Sequence, residues 1–359
     1  PNAEADITGI SFEEDVLANS YIDLNPSYDE SQNAYPIRIS VKEGTDMTSL
    51  APIFELTPRA TISPASGSVQ DFTTPVRYTV TSEDKAWHRV YAITAREQKA
   101  SNIPTTYHFE KVRIMQNVWQ EFYEEQDSGN ELTWASGNKG FKWAMSGAAT
   151  EDYPTTQIDN GKTGKCVKLE TRLTGDLGNM VGMPIAAGNL FIGSFDMLNA
   201  ITNPLSATRF GTPFYNKPLR LTGYYKYKAG EQFYENGEYT SRKDIFNIYA
   251  IFYDGVKYDS AGKGTDVTLD GNLPNQNYEH PSMVALALVS NPQETEGDEW
   301  KFFDIPFDYQ RYGKKIDEAR LTKGEYKISI IFASSKDGAT FEGAPGSTLL
   351  IDEVELIYE

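Results

Sequence analysis

Apolar and polar positions along this chain alternate mostly with a period of two, the spacing of strands with one buried face. In residues 35–42, Ile37, Ile39 and Val41 share one face. Residues 74–80 alternate in the same way, and 87–94 form their partner across the Ser82-Glu83-Asp84-Lys85 turn. Residues 219–227 set Leu219, Leu221, Tyr225 and Tyr227 against Arg220, Thr222, Tyr224 and Lys226. Residues 245–252 are apolar on both faces, which predicts a central strand, and 283–289 and 326–333 predict further strands. A strand is also expected over 166–171, after a tight turn at Gly161 and Gly164. No window predicts a long amphipathic helix.

The chain closes on another such run. After the Gly346-Ser347 turn, Val354, Leu356 and Tyr358 share one face, and Glu353, Glu355 and Glu359 share the other. Asp352 falls in phase with Leu350 and Val354, on the apolar side. A carboxylate there must be paired, bind a cation, or mark a bulge that shifts the phase. A half-buried terminal strand must also pair with strands made much earlier, and the stretch near Phe109 is the expected partner.

Pro58, Pro64 and Gly67 punctuate the first region, and polar residues 99–106, with Pro104, read as a linker. The pattern therefore predicts an all-β chain of two domains. Residues 1–103 form an immunoglobulin-like β-sandwich and residues 104–359 a larger jelly-roll β-sandwich.

Composition narrows the functions open to such a fold. The net charge of -18 argues against a nucleic-acid partner, because phosphates need a basic footprint. Cys166 is the only cysteine, so no internal disulfide forms, and its strand phase reads as a small buried apolar group. No stretch approaches the ~20 apolar residues of a membrane span. Aromatics reach 13%, with 22 tyrosines, an excess that calls for an explanation.

Two resemblances supply one. The segments Val41-Lys42-Glu43-Gly44-Thr45-Asp46, Ala60-Thr61-Ile62-Ser63-Pro64-Ala65-Ser66-Gly67, Gln70-Asp71-Phe72 and Pro75-Val76-Arg77-Tyr78-Thr79-Val80-Thr81 resemble the N-terminal Ig-like modules of surface lipoproteins in Bacteroidetes-type gut bacteria. Those modules lift a distal domain off the outer membrane.

The second resemblance runs along nearly all of the larger region. It rests on Tyr107-His108-Phe109-Glu110, Trp134-Ala135-Ser136-Gly137-Asn138-Lys139-Gly140-Phe141, Asp159-Asn160-Gly161-Lys162-Thr163-Gly164-Lys165, Leu221-Thr222-Gly223-Tyr224-Tyr225-Lys226-Tyr227 and the closing strand. These resemble the carbohydrate metabolism domain of the same surface proteins, whose jelly roll is similar to carbohydrate-binding modules. The likeness implies a cell-surface lipoprotein anchored in the outer membrane, with a periplasmic or secreted protein as the alternative. The chain starts at Pro1 rather than at a methionine, so a leader carrying the lipid anchor is expected to have been trimmed.

Sugars present apolar C–H faces that Trp and Tyr rings cover while nearby polar groups bond the hydroxyls. Trp119, Trp134 and Trp143 stand near the loops that open the second domain, with Asn138 among small polar neighbours. Tyr224 shares the polar face of its strand with Arg220. These six are the candidate carbohydrate-binding residues; the alternative for each ring is ordinary sandwich core.

Related sugar-binding modules often hold a structural Ca²⁺ where the opening and closing strands meet. Glu110 and Asp352 are the candidate ligands, with backbone acceptance at a bulge as the alternative for Asp352. Asp259, Asp266 and Asp270 lack EF-hand spacing, and Gly161-Lys162-Thr163 lacks the glycine a phosphate loop needs at Thr156. His88, His108 and His280 lie in no ligand or triad spacing.

The leading expectation is a monomeric surface protein that captures a polysaccharide or oligosaccharide and requires no cofactor beyond that calcium. A glycoside hydrolase with two facing carboxylates is the second reading. A structural or adhesive surface protein is the third.

Overall fold

The computed structural model describes residues 2–359. The chain divides into two compact units, one ending at Ala100 and joined by Glu359, the other Ser101–Tyr358.

In the smaller unit, the Tyr35–Val41 strand lies parallel to His88–Glu97, which pairs antiparallel with Val76–Thr81, and that in turn with Thr61–Ser63. A separate two-stranded sheet joins Ile7–Ser11 to Ile53–Leu56. The alternation at Ile37, Ile39 and Val41 supplies one wall of the core, and Phe54, Tyr78, Val80, Tyr91 and Ile93 complete it. The turn expected after Val80 is held by Asp84, which accepts from the Ser82 hydroxyl and the Ala86 amide. This is an all-β layered module, as the alternation requires.

The larger unit is a double layer, antiparallel throughout its two main sheets. The ten-stranded sheet runs Met283–Leu288, Asn247–Asp254, Tyr326–Ala333, Asn189–Phe195, Glu131–Ala135, Trp119–Glu125, Val112–Met115, with three short strands attached. The six-stranded sheet runs Thr155–Asp159, Lys165–Glu170, Thr348–Tyr358, Pro218–Lys228, Lys301–Pro306, with Thr106–Tyr107 attached to the long closing strand. Val354 lies opposite Tyr107, so the end of the chain does close against the stretch that opens the unit.

The core fills the space between the sheets. Ile248, Ala250 and Phe252 point into it, as do Ile328, Ile330 and Phe332, against Leu221, Tyr225, Leu349 and Ile351 of the smaller sheet. The intervening Tyr249, Ile251, Tyr253 and Ile331 form a second cluster on the other side of the larger sheet. That second cluster explains why residues 245–252 are apolar except at Asn247, which is buried and donates to the Tyr278 hydroxyl: both faces of this strand are covered. The helices are short, the longest being Asn138–Ala144.

The closing strand changes phase at Asp352. Leu349 and Ile351 are buried, and then Val354 and Leu356 are, with an irregular register between them. Glu353 takes a positive φ of 48° at this step. The bulge lets both halves of an 11-residue strand bury apolar side chains while Asp352 lies opposite Tyr224 of the neighbouring strand.

Candidate functional site

The six aromatic-site candidates do not converge. Trp134 is 1% exposed and packs in the core against Tyr107, Phe109 and Phe332. Trp119 is buried beside Phe141 and Tyr153. Asn138 is wholly buried: its amide donates to the Thr155 carbonyl at 2.8 Å and its Oδ1 accepts from the Thr155 amide at 3.1 Å. These three are corrected to structural residues. Trp134 faces inward because its strand belongs to the sheet whose inner side forms the core, Trp119 is covered by Phe141 and Tyr153 in a separate small cluster, and Asn138 satisfies backbone groups at the start of the Thr155–Asp159 strand. Trp143 is 38% exposed, on the Asn138–Ala144 helix at the edge of an apolar cleft.

Tyr224 and Arg220 do come together, on the outer face of the six-stranded sheet. Three adjacent strands set their side chains there in rows. Phe302, Tyr224 and Asp352 make one row, and Asp304, Thr222 and Glu355 the next. Phe302 is 53% exposed and its ring centroid lies 5.2 Å from that of Tyr224. The Lys162 ammonium sits 4.9 Å from the Tyr224 ring centroid. Further along, the Lys226 ammonium lies 5.0 Å from the Trp300 ring and 2.6 Å from Asp298. Arg220 Nε donates to Asp304 Oδ1 at 2.5 Å. Burial raises the Glu355 carboxyl above its ordinary range.

Four outward residues of one strand, Arg220, Thr222, Tyr224 and Lys226, span roughly 20 Å at ~3.4 Å per residue. The result is a strip of aromatic rings bordered by paired charges. Sequence reasoning missed Phe302, Trp300 and Lys162. The first was legible in Phe302-Phe303-Asp304-Ile305, where Phe303 and Ile305 are buried and Phe302 and Asp304 alternate outward. The last depends on where the turn at 160–164 folds, which no local pattern reveals.

That turn is held by the two candidate metal ligands. Asp352 Oδ2 accepts from the Thr163 amide at 3.0 Å, and Glu110 Oε1 accepts from the Lys165 amide at 2.8 Å. A side chain at Gly164 would collide with the Glu110 carboxylate, and one at Gly161 with Asp352 and the Lys165 carbonyl. Among the described residues, no group of three or more His, Cys, Asp or Glu is placed to hold a metal ion. Burial pushes the Asp352 carboxyl up to about 6. The Cys166 thiol is raised to about 12 by its own burial, so it remains a thiol at neutral pH.

The larger unit also has a deep cleft, on the outer side of the ten-stranded sheet under several short helices. None of the described residues lining it is acidic.

Residues 108–357 match the family model described as "Putative carbohydrate metabolism domain". The chain belongs to this family. Residues 23–95 match "SGBP, N-terminal", the N-terminal domain of the surface glycan-binding protein type of Bacteroidetes. The family member described here is thus a carbohydrate-related surface protein of the Bacteroides type. A crystal structure titled as a putative glycoside hydrolase from Bacteroides thetaiotaomicron is 46% identical, with a TM-score of 0.64, over 100% of this chain and 98% of that one. Another, under the same description from Bacteroides vulgatus, is 50% identical with a TM-score of 0.67, over 72% of this chain and 100% of that one. No curated protein matches the chain.

Proposed function

We propose that the protein captures glycan chains at the bacterial surface, on the outer face of its six-stranded sheet, without chemical change to the sugar. The observation that carries this reading is the cross-strand pairing of Tyr224 with exposed Phe302, prolonged by Trp300 on the same strip. Rings held on a rigid sheet offer stacking surface at little entropic cost, and the Arg220–Asp304 and Lys226–Asp298 pairs supply donors and acceptors at their edges. The membership of the carbohydrate family and the surface-type N-terminal module support it. Anchoring through a lipid and a monomeric state belong to the same proposal. Affinity gel electrophoresis over plant and host polysaccharides tests it. Retention by at least one glycan, lost in Tyr224→Ala/Phe302→Ala, is expected; no retention of the folded protein on any glycan overturns it.

One observation favours hydrolysis as a second reading, beside the description of the two similar crystal structures as putative glycoside hydrolases. Asp304 and Glu355 flank Thr222 on three successive strands. Two interstrand spacings put their Cα atoms roughly 10 Å apart, and burial raises Glu355 as a general acid requires. Release of reducing sugar that survives in the wild type and disappears in Glu355→Gln would establish this reading in place of simple capture.

A further inference from the structure

The cleft on the opposite side of the larger unit is made differently from the glycan strip. Its floor is the outer face of the ten-stranded sheet, including Phe191, Tyr249 and Ile331, and its walls come from the short helices Asn138–Ala144 and Met197–Thr202. Trp143 and Ile201 line it and stay 38% and 44% exposed, so its edge is apolar as well. Aromatic rings already meet edge-on in its floor: Phe191 and Phe210 at 5.4 Å, Phe210 and Tyr249 at 6.3 Å. The open volume is about 170 Å³, close to the ~150 Å³ cavity that holds one benzene ring.

Charge distinguishes this cleft from the rest of the surface. The chain carries a net charge of -18, yet no carboxylate lines the cleft among the described residues. Lys336 is the one charged residue in its lining; it is exposed and makes no ion pair among the described residues. An apolar space with a single cation at its edge selects an apolar body that ends in one negative charge. The aromatic walls favour a ring over an acyl chain, because ring edges pack against ring faces.

We infer that the cleft is a second binding site, taking a small aromatic carboxylate with its ring against Trp143 and Ile201 and its carboxylate at Lys336. This site is separate from the glycan strip and does not rest on that reading. The test is calorimetric titration of the full chain with cinnamate and with methyl cinnamate, its uncharged ester. Cinnamate is expected to bind, the ester about two- to fivefold more weakly, as an exposed ion pair allows. Lys336→Glu should remove that preference while leaving the ester's affinity unchanged. Ala200→Trp, which fills the cleft from the Met197–Thr202 helix, should abolish both, with a thermal melt to confirm folding and with glycan retention intact.

The inference is overturned if wild-type protein ignores cinnamate, or if folded Ala200→Trp binds it as before. Equal affinity for acid and ester, or a preference that survives Lys336→Glu, overturns the carboxylate assignment.

Discussion

The two sheets of the larger unit bury one face against each other, and their remaining faces are treated differently. The ten-stranded sheet has its outer face roofed by short helices and loops, and its strands Asn247–Asp254 and Tyr326–Ala333 are largely buried on both sides. The six-stranded sheet leaves much of its outer face open, and Pro218–Lys228 keeps Arg220, Thr222, Tyr224 and Lys226 there. A roof encloses an apolar, nearly uncharged cleft; an open face presents rings and ion pairs to solvent. The same sandwich thus provides two chemically distinct surfaces, and aromatic residues occur on both. What a ring does depends on whether its side of the sheet is covered.

The largest effect that sharpens this contrast lies between the sheets. Trp134→Ala should destabilise the larger unit by about 3–5 kcal/mol, measured by denaturant unfolding, because Trp134 is core rather than site. A loss under ~1 kcal/mol would return Trp134 to the surface and undo the distinction. On the open face, Tyr224→Ala/Phe302→Ala should weaken glycan retention about tenfold or more, each ring contributing roughly 0.5–1.5 kcal/mol, with the melting temperature nearly unchanged. An equal weakening by Trp143→Ala would move glycan binding to the roofed side.

A subtler test concerns the bulge. The folded Asp352 carboxyl titrates at about 6, above the ordinary value near 3.9. Its contribution to stability is complete below about pH 4 and is lost as pH rises through 6. Asp352→Asn should therefore gain on the wild type between pH 4 and pH 7 in paired thermal melts. A difference that stays constant with pH would show that burial does not raise this group. The smallest expected change is for Lys162→Ala, about two- to fivefold in glycan retention, since a partly exposed cation over a ring contributes only ~0.5–1 kcal/mol.

Much of the architecture was legible in the sequence. Residues 326–333 were placed as a strand with the bounds the structure shows, and the closing strand pairs where its half-buried pattern demanded. Periodicity works here because a sheet with one wet face must alternate, and one covered twice must not. The phase break at Asp352 was visible as a carboxylate in an apolar register, one reading of which was a bulge. The site was less legible. The shared outward face of Tyr224 and Arg220 was readable because an aromatic on a strand's polar side is a local signal. Trp134, Trp119 and Asn138 were misplaced because small polar neighbours surround a buried ring and an exposed one alike. Phe302 and Lys162 were overlooked because their importance is pairwise.

By itself, then, the order of residues determined which segments become strands and which side of each seeks apolar company. Tertiary structure decided which strands became neighbours, and with that which rings were enclosed and which stood free. The physical reason is range. Alternation is written within a few residues, whereas a row such as Phe302, Tyr224 and Asp352 joins strands dozens of residues apart, and the covering of a sheet face depends on loops whose local sequence does not record what they will cover.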